Sequence, residues 1–277
     1  AGVIYSVSGR VDVGIDLGPD PAAPAAGGVR GVLNVAPGVT IFGSGGLDHI
    51  VVNRGSAINA AGTATDPIIF TSRQSVTGAT NENSIGQWGG LVILGRAPIS
   101  VCPAGVAPPS IACVSQVEGT NAFYGGLTRN DNSGQLRFVR VQHSGFEILP
   151  NNELNGITLA GVGSATIVQN VQVHNSSDDG IEIFGGTVNL SNIVLTGNDD
   201  DSFDVDTGWR GSVNTLFAVQ RSAGGDHMLE FSSAGARTPA TPPATGFTLN
   251  TIPRITNATL VSRSRSSPAM LLKTGNG

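Results

Sequence analysis

A repeat of 22 to 24 residues in the second half of the chain constrains the fold more than any other feature of the sequence. Segments in which apolar and polar residues alternate begin at equivalent positions of successive repeats, in two series, at Ile157, Ile181 and Phe203 and at Val171, Ile193 and Phe217. A third short apolar patch lies between them, at 165–167, 187–190 and 212–213. Alternation with a period of two is typical of β-strands and not of helices. Each repeat therefore predicts three short strands, separated by Gly, Asn, Asp and Ser.

Three strands in a repeat of this length are what one coil of a parallel β-helix requires. A single repeat cannot bury its own apolar face, but coils that stack at roughly 4.8 Å share a continuous core. Leucine-rich repeats have a similar period, but they require Leu at fixed offsets and a helix, and the sequence shows no such pattern. The sequence thus predicts an all-β fold, a right-handed parallel β-helix with 22–24 residues per coil.

The repeat is less regular towards the N-terminus, and insertions interrupt it. The same alternation occurs earlier in the chain, which predicts further coils, at 29–34, 40–42, 50–52 and 68–70. Three stretches rich in Gly, Pro or Asn are predicted to be irregular insertions, at about 97–114, 118–132 and 234–253. We expect residues 1–277 to form a single β-helix domain that is truncated at its C-terminus.

Two asparagines mark one corner of the predicted coil. Asn170 and Asn192 lie 22 residues apart, and each comes just before a strand. Stacked Asn side chains in a turn can form a ladder of amide hydrogen bonds. Alternatively, Asn simply tolerates the left-handed backbone conformation of a tight turn. Both interpretations support a stack of coils.

Composition and charge disfavour several classes of partner. The chain carries 15 Lys and Arg against 20 Asp and Glu, and this net charge of −5 disfavours nucleic acid or an anionic membrane surface. No apolar run approaches the roughly 20 residues that a membrane-spanning helix requires. We therefore predict no nucleic-acid partner and no transmembrane segment.

Cys102 and Cys113 are the only cysteines, and they bracket a loop that contains Pro and Gly. No His lies near them to indicate a metal site. A disulfide across this loop fits an oxidising compartment such as the cell exterior. Two free buried thiols in a cytosolic protein are the alternative, and we predict the disulfide.

Acidic residues accumulate at equivalent positions of the repeats. The aligned acids are Asp178 with Asp200, Asp179 with Asp201, and Glu182 with Asp204 and Glu230. Because the apolar residues beside Glu182 and Asp204 face inward, these acids must face outward, about one coil rise apart. Carboxylates about 5 Å apart repel by about 1 kcal/mol even in water. Such an array requires something that offsets the repulsion.

Three interpretations of these acids are open at this point. A bound hard cation with oxygen ligands would offset the repulsion, and the lack of clustered His or Cys favours calcium over zinc or copper. Alternatively, the acids cap backbone amides of turns and are separately solvated, or they form a catalytic set. We favour Ca²⁺, with ligands drawn from Asp178, Asp179, Glu182, Asp199, Asp200, Asp201, Asp204, Asp206, Asp226 and Glu230.

Several motifs resemble those of a family of uncharacterised bacterial cell-surface proteins, which are secreted proteins or lipoproteins. The motifs are GQWGGLVILGRAP at 86–98, NDNSG at 130–134, NGITL at 155–159, SDDG at 177–180, FGGTVN at 184–189 and DDDSFD at 199–204. The resemblance covers roughly residues 32–273. It implies a pectin-lyase-like β-helix and an extracellular or outer-membrane address, and it implies no particular activity.

The wider β-helix superfamily contains polysaccharide lyases and glycoside hydrolases, so an enzyme is the alternative function. Calcium-dependent pectate lyases use aspartates for the metal and an Arg or Lys as base, for which Arg210, Arg221 and Lys273 are candidates. Glycosidases of similar fold use paired aspartates, and the pairs Asp178/Asp179 and Asp200/Asp201 are candidates for that role. The Gly-His-Gly motif of polygalacturonases is missing, because residues 225–228 read GDHM.

Trp209 and Arg210, side by side in a predicted turn, are candidates for contact with a ligand. We expect a non-enzymatic, calcium-stabilised surface scaffold that serves structure, adhesion, self-association or ligand binding. Open coil ends expose strand edges and favour stacking with a second copy. Surface polysaccharide is the other expected partner.

Overall fold

A computed structural model describes residues 2–150, 152–233, 249–263 and 268–273. In chain order the elements are β1 (Ile4–Ser6), β2 (Arg10–Val13), β3 (Val32–Val35), β4 (Thr40–Gly43), β5 (His49–Val52), β6 (Ala57–Ala61), β7 (Ile68–Ser72), α1 (Arg73–Val76), β8 (Gly90–Leu94), β9 (Ser115–Gln116), β10 (Phe123–Tyr124), β11 (Gly134–Gln142), β12 (Phe146–Leu149), β13 (Asn152–Leu154), β14 (Ile157–Ala160), β15 (Ile167–His174), β16 (Ile181–Phe184), β17 (Asn189–Thr196), β18 (Phe203–Asp206), β19 (Ser212–Val219), β20 (Leu229–Ser232), β21 (Arg254–Val261) and β22 (Met270–Lys273). In the described part of the chain, no helix is long and apolar enough to cross a membrane.

Two long sheets of parallel strands confirm the predicted β-helix. One has eight strands in the order β2-β5-β8-β14-β16-β18-β20-β22. The other has ten, with the path β1-β4-β7-β11-β15-β17-β19-β21 and with β3 and β6 beside it. The chain alternates between the two sheets, so each passage through both of them completes one coil.

The number of strands per coil changes along the chain. The early coils have three separate strands, as in β3, β4 and β5 and in β6, β7 and β8. The first half of β11 pairs with β6 and its second half with β7, so from β11 onward two of the three strands are continuous. These longer strands bend at a residue with positive φ, at Phe138, Asn170, Asn192, Thr215 and Asn257.

At two of these bends, both interpretations of the Asn residues hold: the residues adopt the left-handed backbone conformation, and their side chains form an amide hydrogen bond. Asn170 and Asn192 each have a φ of 55°. The Asn192 Nδ2 also donates a hydrogen bond to the Asn170 Oδ1 at 2.9 Å. The ladder is on the outside of the coil, where Asn192 is exposed.

The strand register confirms the repeat and corrects one alignment. Ile181 pairs with Phe203, 22 residues later. Ile193 pairs with Leu216, however, and not with Phe217 as the alternation predicted. A shift of one residue moves every side chain of a strand to the opposite face. Leu216 is therefore buried, while Phe217 is 40 % exposed.

The inward-facing side chains form one core that runs through all the coils. Trp209 belongs to it: its ring has no exposed surface, lies 6.0 Å from that of Phe203, and donates its indole N–H to the Val188 carbonyl. The prediction of a ligand contact at Trp209 is therefore wrong, because a buried ring cannot stack on a ligand. Burial of large apolar side chains like these contributes about 1.5–3 kcal/mol each.

Residues 95–133 leave the coil between β8 and β11 and lie on the outer face of the eight-stranded sheet. They contain the antiparallel pair β9 and β10 and the disulfide between Cys102 and Cys113, which confirms the predicted bridge. Their buried side chains, such as Ile99, pack in a second apolar cluster with outward-facing residues of the sheet, namely Val51, Val92, Leu94, Ala160 and Phe184.

Other departures from the coil were not predicted, and one predicted insertion is mostly undescribed. Residues 73–89 contain α1, and β12 with β13 forms an antiparallel hairpin before β14. Most of the third predicted insertion, at 234–248, lies outside the described residues.

Candidate metal centre

One outward-facing column of the eight-stranded sheet changes from apolar to acidic along the β-helix. From β5 to β20, the paired residues of this column are Val51, Val92, Thr158, Glu182, Asp204 and Glu230. Paired residues of neighbouring strands lie about 4.8 Å apart. Three carboxylates therefore occupy consecutive positions, and the predicted alignment of Glu182, Asp204 and Glu230 is confirmed.

A second column lies in the turn before each of these strands. The backbone N–H of Asp179 donates to the Asn155 Oδ1 at 3.2 Å, and that of Asp201 donates to the Asp179 Oδ1 at 2.9 Å. The His227 N–H donates in turn to the Asp201 Oδ1 at 2.6 Å. Each of these carboxylates thus caps an amide of the next coil. The hydrogen bond from the His227 amide lowers the pKa of Asp201, but desolvation outweighs it.

Eight of the ten predicted ligands come together in four overlapping groups. In each group, three ligand atoms lie within 4.8 Å of one another, in Asp178, Asp179 and Asp200, in Asp179, Glu182 and Asp204, in Asp201, Asp204 and Glu230, and in Asp201, Asp226 and His227. Two oxygens bound to one calcium ion are at most about 5 Å apart, since each lies about 2.3–2.6 Å from the metal. The spacing in each group fits one ion.

Asp199 and Asp206 are the two predicted ligands outside these groups. Asp199 Oδ1 lies 3.3 Å from the Arg221 guanidinium, which offsets its charge. The Asp206 Oδ1 accepts hydrogen bonds from the Ser232 hydroxyl and the Thr207 amide, both at 2.5 Å. Asp206 nevertheless lies near enough to Asp204 to help raise the pKa of that group.

The acids point away from the core, as predicted, but four of the eight clustered acids are shielded from solvent. Asp179 and Glu182 are each 6 % exposed, and Asp201 is 4 % exposed. Asn155 lies directly on Glu182, with its Nδ2 donating to the Glu182 Oε2 at 2.6 Å. The array is therefore a partly buried cluster rather than a fully open ridge.

Sequence reasoning missed Glu118, Asn155 and His227 as members of this cluster. The Glu118 Oε1 lies 3.4 Å from the Asn155 Nδ2, which places an acid of the insertion next to Glu182. No sequence signal points to Glu118, because the insertion does not follow the repeat. His227 could have been found, since it occupies the turn position that Asp201 holds one coil earlier.

Burial raises the pKa of most of these carboxyl groups, and repulsion between like charges adds to the effect. The pKa of Asp178 rises to about 8 because the group is desolvated and Asp200 lies beside it. Desolvation, with repulsion from Glu230, raises the pKa of Asp201 to about 9. The same two causes hold the pKa values of Asp179, Glu182 and Asp204 well above their usual range. The cluster therefore favours either protons or a cation.

Basic side chains offset only part of this charge. Lys273 forms an ion pair with Glu230, and His227 Nδ1 lies 3.2 Å from a carboxylate oxygen of both Asp201 and Asp226. Of the three basic residues considered as a lyase base, only Lys273 reaches the cluster. Arg221 pairs with Asp199, and Arg210 Nε donates to the Asn250 carbonyl at 3.2 Å.

The family comparison agrees with this architecture. A family model described as a pectate-lyase like beta helix domain matches residues 27–277. The chain belongs to this family. The membership confirms the predicted resemblance and the fold, while it assigns no chemistry to the acidic cluster. No curated protein and no solved structure matches the chain.

This β-helix brings oxygen ligands from consecutive coils within reach of single ions. Asp179 and Glu182 belong to one coil and Asp204 to the next, and the three form one group. An ion held there would be coordinated by two coils at once. The spacing and the oxygen ligands are therefore of the kind that hard divalent cations prefer.

Proposed function

We propose that this β-helix is a non-enzymatic scaffold on the exterior of a bacterial cell, secreted or associated with the outer membrane, and that calcium stabilises its C-terminal coils. The observation that carries the proposal is the convergence of carboxylates from successive coils into groups whose ligand atoms lie within 4.8 Å of one another.

The electrostatics of the cluster favour a cation. Two carboxylates about 5 Å apart repel by about 3 kcal/mol at an effective dielectric constant of about 20. Eight carboxylates share the four groups, and among the described residues Lys273 and His227 are the basic side chains in contact with them. A hard cation with oxygen ligands offsets such repulsion, and calcium sites of extracellular modules work at about 10⁻⁴–10⁻³ M.

Two features support an exterior location and a scaffold role. The Cys102–Cys113 disulfide suits an oxidising compartment. A stack of coils is a rigid body that presents long, regular surfaces for structure, adhesion or ligand binding. As partners we propose a second copy that stacks on the unpaired strand edges of an open coil end, or a surface polysaccharide.

Thermal unfolding in calcium, in magnesium and in a chelator tests the calcium part of the proposal. We expect calcium to raise the melting temperature, and magnesium to raise it less, because magnesium demands a stricter octahedral geometry. Asp204→Asn removes a carboxylate shared by two groups and should abolish most of the calcium effect. Asp20→Asn, in the N-terminal loop, is the matched control and should leave it intact. An equal melting temperature in calcium and chelator contradicts structural calcium.

An extracellular polysaccharide lyase or hydrolase is the second candidate, because Lys273 lies against the carboxylates through Glu230. A cationic amine beside a set of acids is a combination that acid–base chemistry on a glycan could use. Acidic polysaccharides incubated with the protein and calcium should then give unsaturated or new reducing ends. The activity should disappear in Asp201→Asn and in Lys273→Ala. No product from any polymer would exclude this candidate and leave the scaffold.

A further inference from the structure

A groove with a volume of about 310 Å³ lies on the ten-stranded sheet, along the line where its long strands bend. One wall is a column of paired, outward-facing residues from four successive coils, Arg140, Gln172, Val194 and Phe217. Arg140 and Phe217 are exposed, and Val194 is half-buried. No described residue forms an ion pair with Arg140. The groove therefore presents apolar surface together with one cation that has no acidic partner among the described residues.

The whole sheet is free of acidic residues. None of its ten strands contains Asp, Glu or Lys, and the strands carry three Arg residues, Arg137, Arg140 and Arg254. Surfaces that bind proteins are typically poor in Lys, Glu and Asp and enriched in Arg and aromatic residues. The composition of the sheet therefore favours a protein partner, and its charge favours a partner that brings carboxylates.

The hairpin formed by β12 and β13 carries side chains of this kind, and it lies over the other sheet. Phe146 and Ile148 pack against the apolar cluster on the outer face of the eight-stranded sheet, while Glu147 and Leu149 are exposed. Leu149 is 62 % exposed, and no described large apolar side chain is more exposed. Glu147 lies directly opposite Glu153, and like charges in opposite positions of a hairpin repel. The hairpin therefore presents apolar surface and a carboxylate that a cation would stabilise.

We propose that the hairpin of one copy docks into the groove of a second copy. Leu149 packs against Val194 and Phe217, and Glu147 pairs with Arg140. Glu147 and Leu149 are two residues apart on a strand, so they lie about 7 Å apart. Val194 is two coils from Arg140, at about 10 Å, and the long Arg side chain spans the difference. The contact buries an exposed leucine and gives both charges a partner.

The contact is heterologous, because each copy uses a hairpin on one sheet and a groove on the other. A hairpin that packs over the eight-stranded sheet reaches the groove of another copy and not its own. Repeated contacts of this kind build a ring or an open filament. This assembly rests on the proposed scaffold function, but it uses neither the strand edges of a coil end nor the acidic cluster.

Two other modes of binding fit the groove less well. Face-to-face packing of two ten-stranded sheets would bring Arg residues together, because no strand of this sheet supplies an acid. A segment that adds to a sheet as an extra strand needs an unpaired strand edge. The strands at the groove are paired on both sides, as β15 is with β11 and β17.

Sedimentation velocity over a range of protein concentrations measures the contact. The experiment is done in chelator, so that calcium cannot bridge copies through the acidic cluster. The groove variants are Phe217→Ser and Arg140→Glu, and the hairpin variants are Leu149→Ser and Glu147→Arg. Their matched controls, at exposed positions outside the groove and the hairpin, are Leu127→Ser and Arg30→Glu. Equal melting temperatures of the parent protein and the variants establish that each variant is folded.

We expect the parent protein to form larger species as its concentration rises. Each groove or hairpin variant should weaken this assembly by about tenfold or more, because it removes an anchor from a small contact. Both controls should assemble like the parent protein. Arg140→Glu and Glu147→Arg combined in one chain should restore assembly. A mixture of Phe217→Ser and Leu149→Ser should give dimers and nothing larger, because one copy keeps its hairpin and the other keeps its groove.

Three results would overturn this contact. Assembly that the variants leave unchanged would overturn it and would leave stacking of coil ends in its place. Charge reversals that fail to restore assembly when combined would overturn the pairing of Glu147 with Arg140. A parent protein that stays monomeric at every concentration would overturn the contact and remove self-association from the proposed function. The calcium part of that function fails separately, when calcium leaves the melting temperature unchanged.

Discussion

The outer face of the eight-stranded sheet is covered in two different ways along the β-helix. On β5 and β8 the outward residues Val51 and Val92 are apolar, and the insertion 95–133 buries them. At the same column position, β16, β18 and β20 carry Glu182, Asp204 and Glu230. The backbone is equivalent in both regions, so the side chains alone decide what can cover it. Apolar residues require an apolar cover, whereas buried carboxylates require a positive charge or a proton.

The largest expected effect comes from placing an acid in the apolar region. Val92→Asp would bury a carboxylate at a position that is 1 % exposed, among apolar side chains of the insertion. We expect a loss of about 4 kcal/mol in the free energy of unfolding, because the charge has neither solvent nor a partner there. Chemical denaturation measures it, and Val92→Leu is the control for the changed shape. A loss below about 1 kcal/mol would show that the two regions do not differ in this way.

When no divalent cation is present, the acidic cluster should make the free energy of unfolding fall as pH rises, whereas in most proteins carboxyl groups make it rise. The raised pKa values, about 8 for Asp178 and about 9 for Asp201, mean that the folded state holds protons that the unfolded state has already released above about pH 4. Stability should therefore fall as pH rises through this window.

One extra bound proton changes the free energy of unfolding by about 1.4 kcal/mol per pH unit. We expect a loss of at least about 3 kcal/mol between about pH 5 and about pH 7, because at least one carboxyl group of the folded state keeps its proton over this range. Denaturation in chelator measures the loss. Calcium should reduce the loss, because it replaces the protons. A free energy of unfolding that rises over this pH range in chelator would contradict the raised pKa values.

The disulfide belongs to the apolar region, and its removal should act there. The double variant Cys102→Ser/Cys113→Ser should lose about 2 kcal/mol, since a closed loop restricts the unfolded chain. Hydrogen exchange should show lower protection in 95–133 and unchanged protection in β17 and β19. Equal loss of protection in both regions would show that they unfold as one unit.

The smallest expected effect is also the one whose sign is most informative. In chelator, Asp204→Asn should raise the free energy of unfolding by about 1 kcal/mol, because it removes repulsion from Glu230 and Asp206. In calcium the same variant should be less stable than the parent protein. Asp20→Asn, in the N-terminal loop, is the control that should change neither value. The same sign in both conditions would contradict the proposed role of the cation.

The sequence predicted the features that depend on a period. Alternation fixes which residues face inward, and equal spacing aligns the coils, so the pairing of Glu182 with Asp204 followed from the sequence. The register at Phe217 did not follow, because the bend at Thr215 comes one residue later in its coil than the bend at Asn192 does. Periodicity locates turns but does not show which turn residues fold inward, and Trp209 is such a case.

The repeat pattern could not predict the contacts between the insertion 95–133 and the coils. Glu118 meets Glu182 through the Asn155 amide, yet nothing in the spacing of these three residues relates them. For the same reason, the repeat pattern could not predict how deeply the acids are buried. Side chains that face out of a coil are solvated unless another segment covers them, and the position of that segment is a tertiary property.

A crystal structure determined with calcium at millimolar concentration tests the central claim most directly. We expect an ion at the group formed by Asp179, Glu182 and Asp204, with its oxygen ligands at about 2.3–2.6 Å. We also expect this ion to be lost from crystals of the Asp204→Asn variant. Water or no density at this group in the calcium-grown crystals would contradict the account.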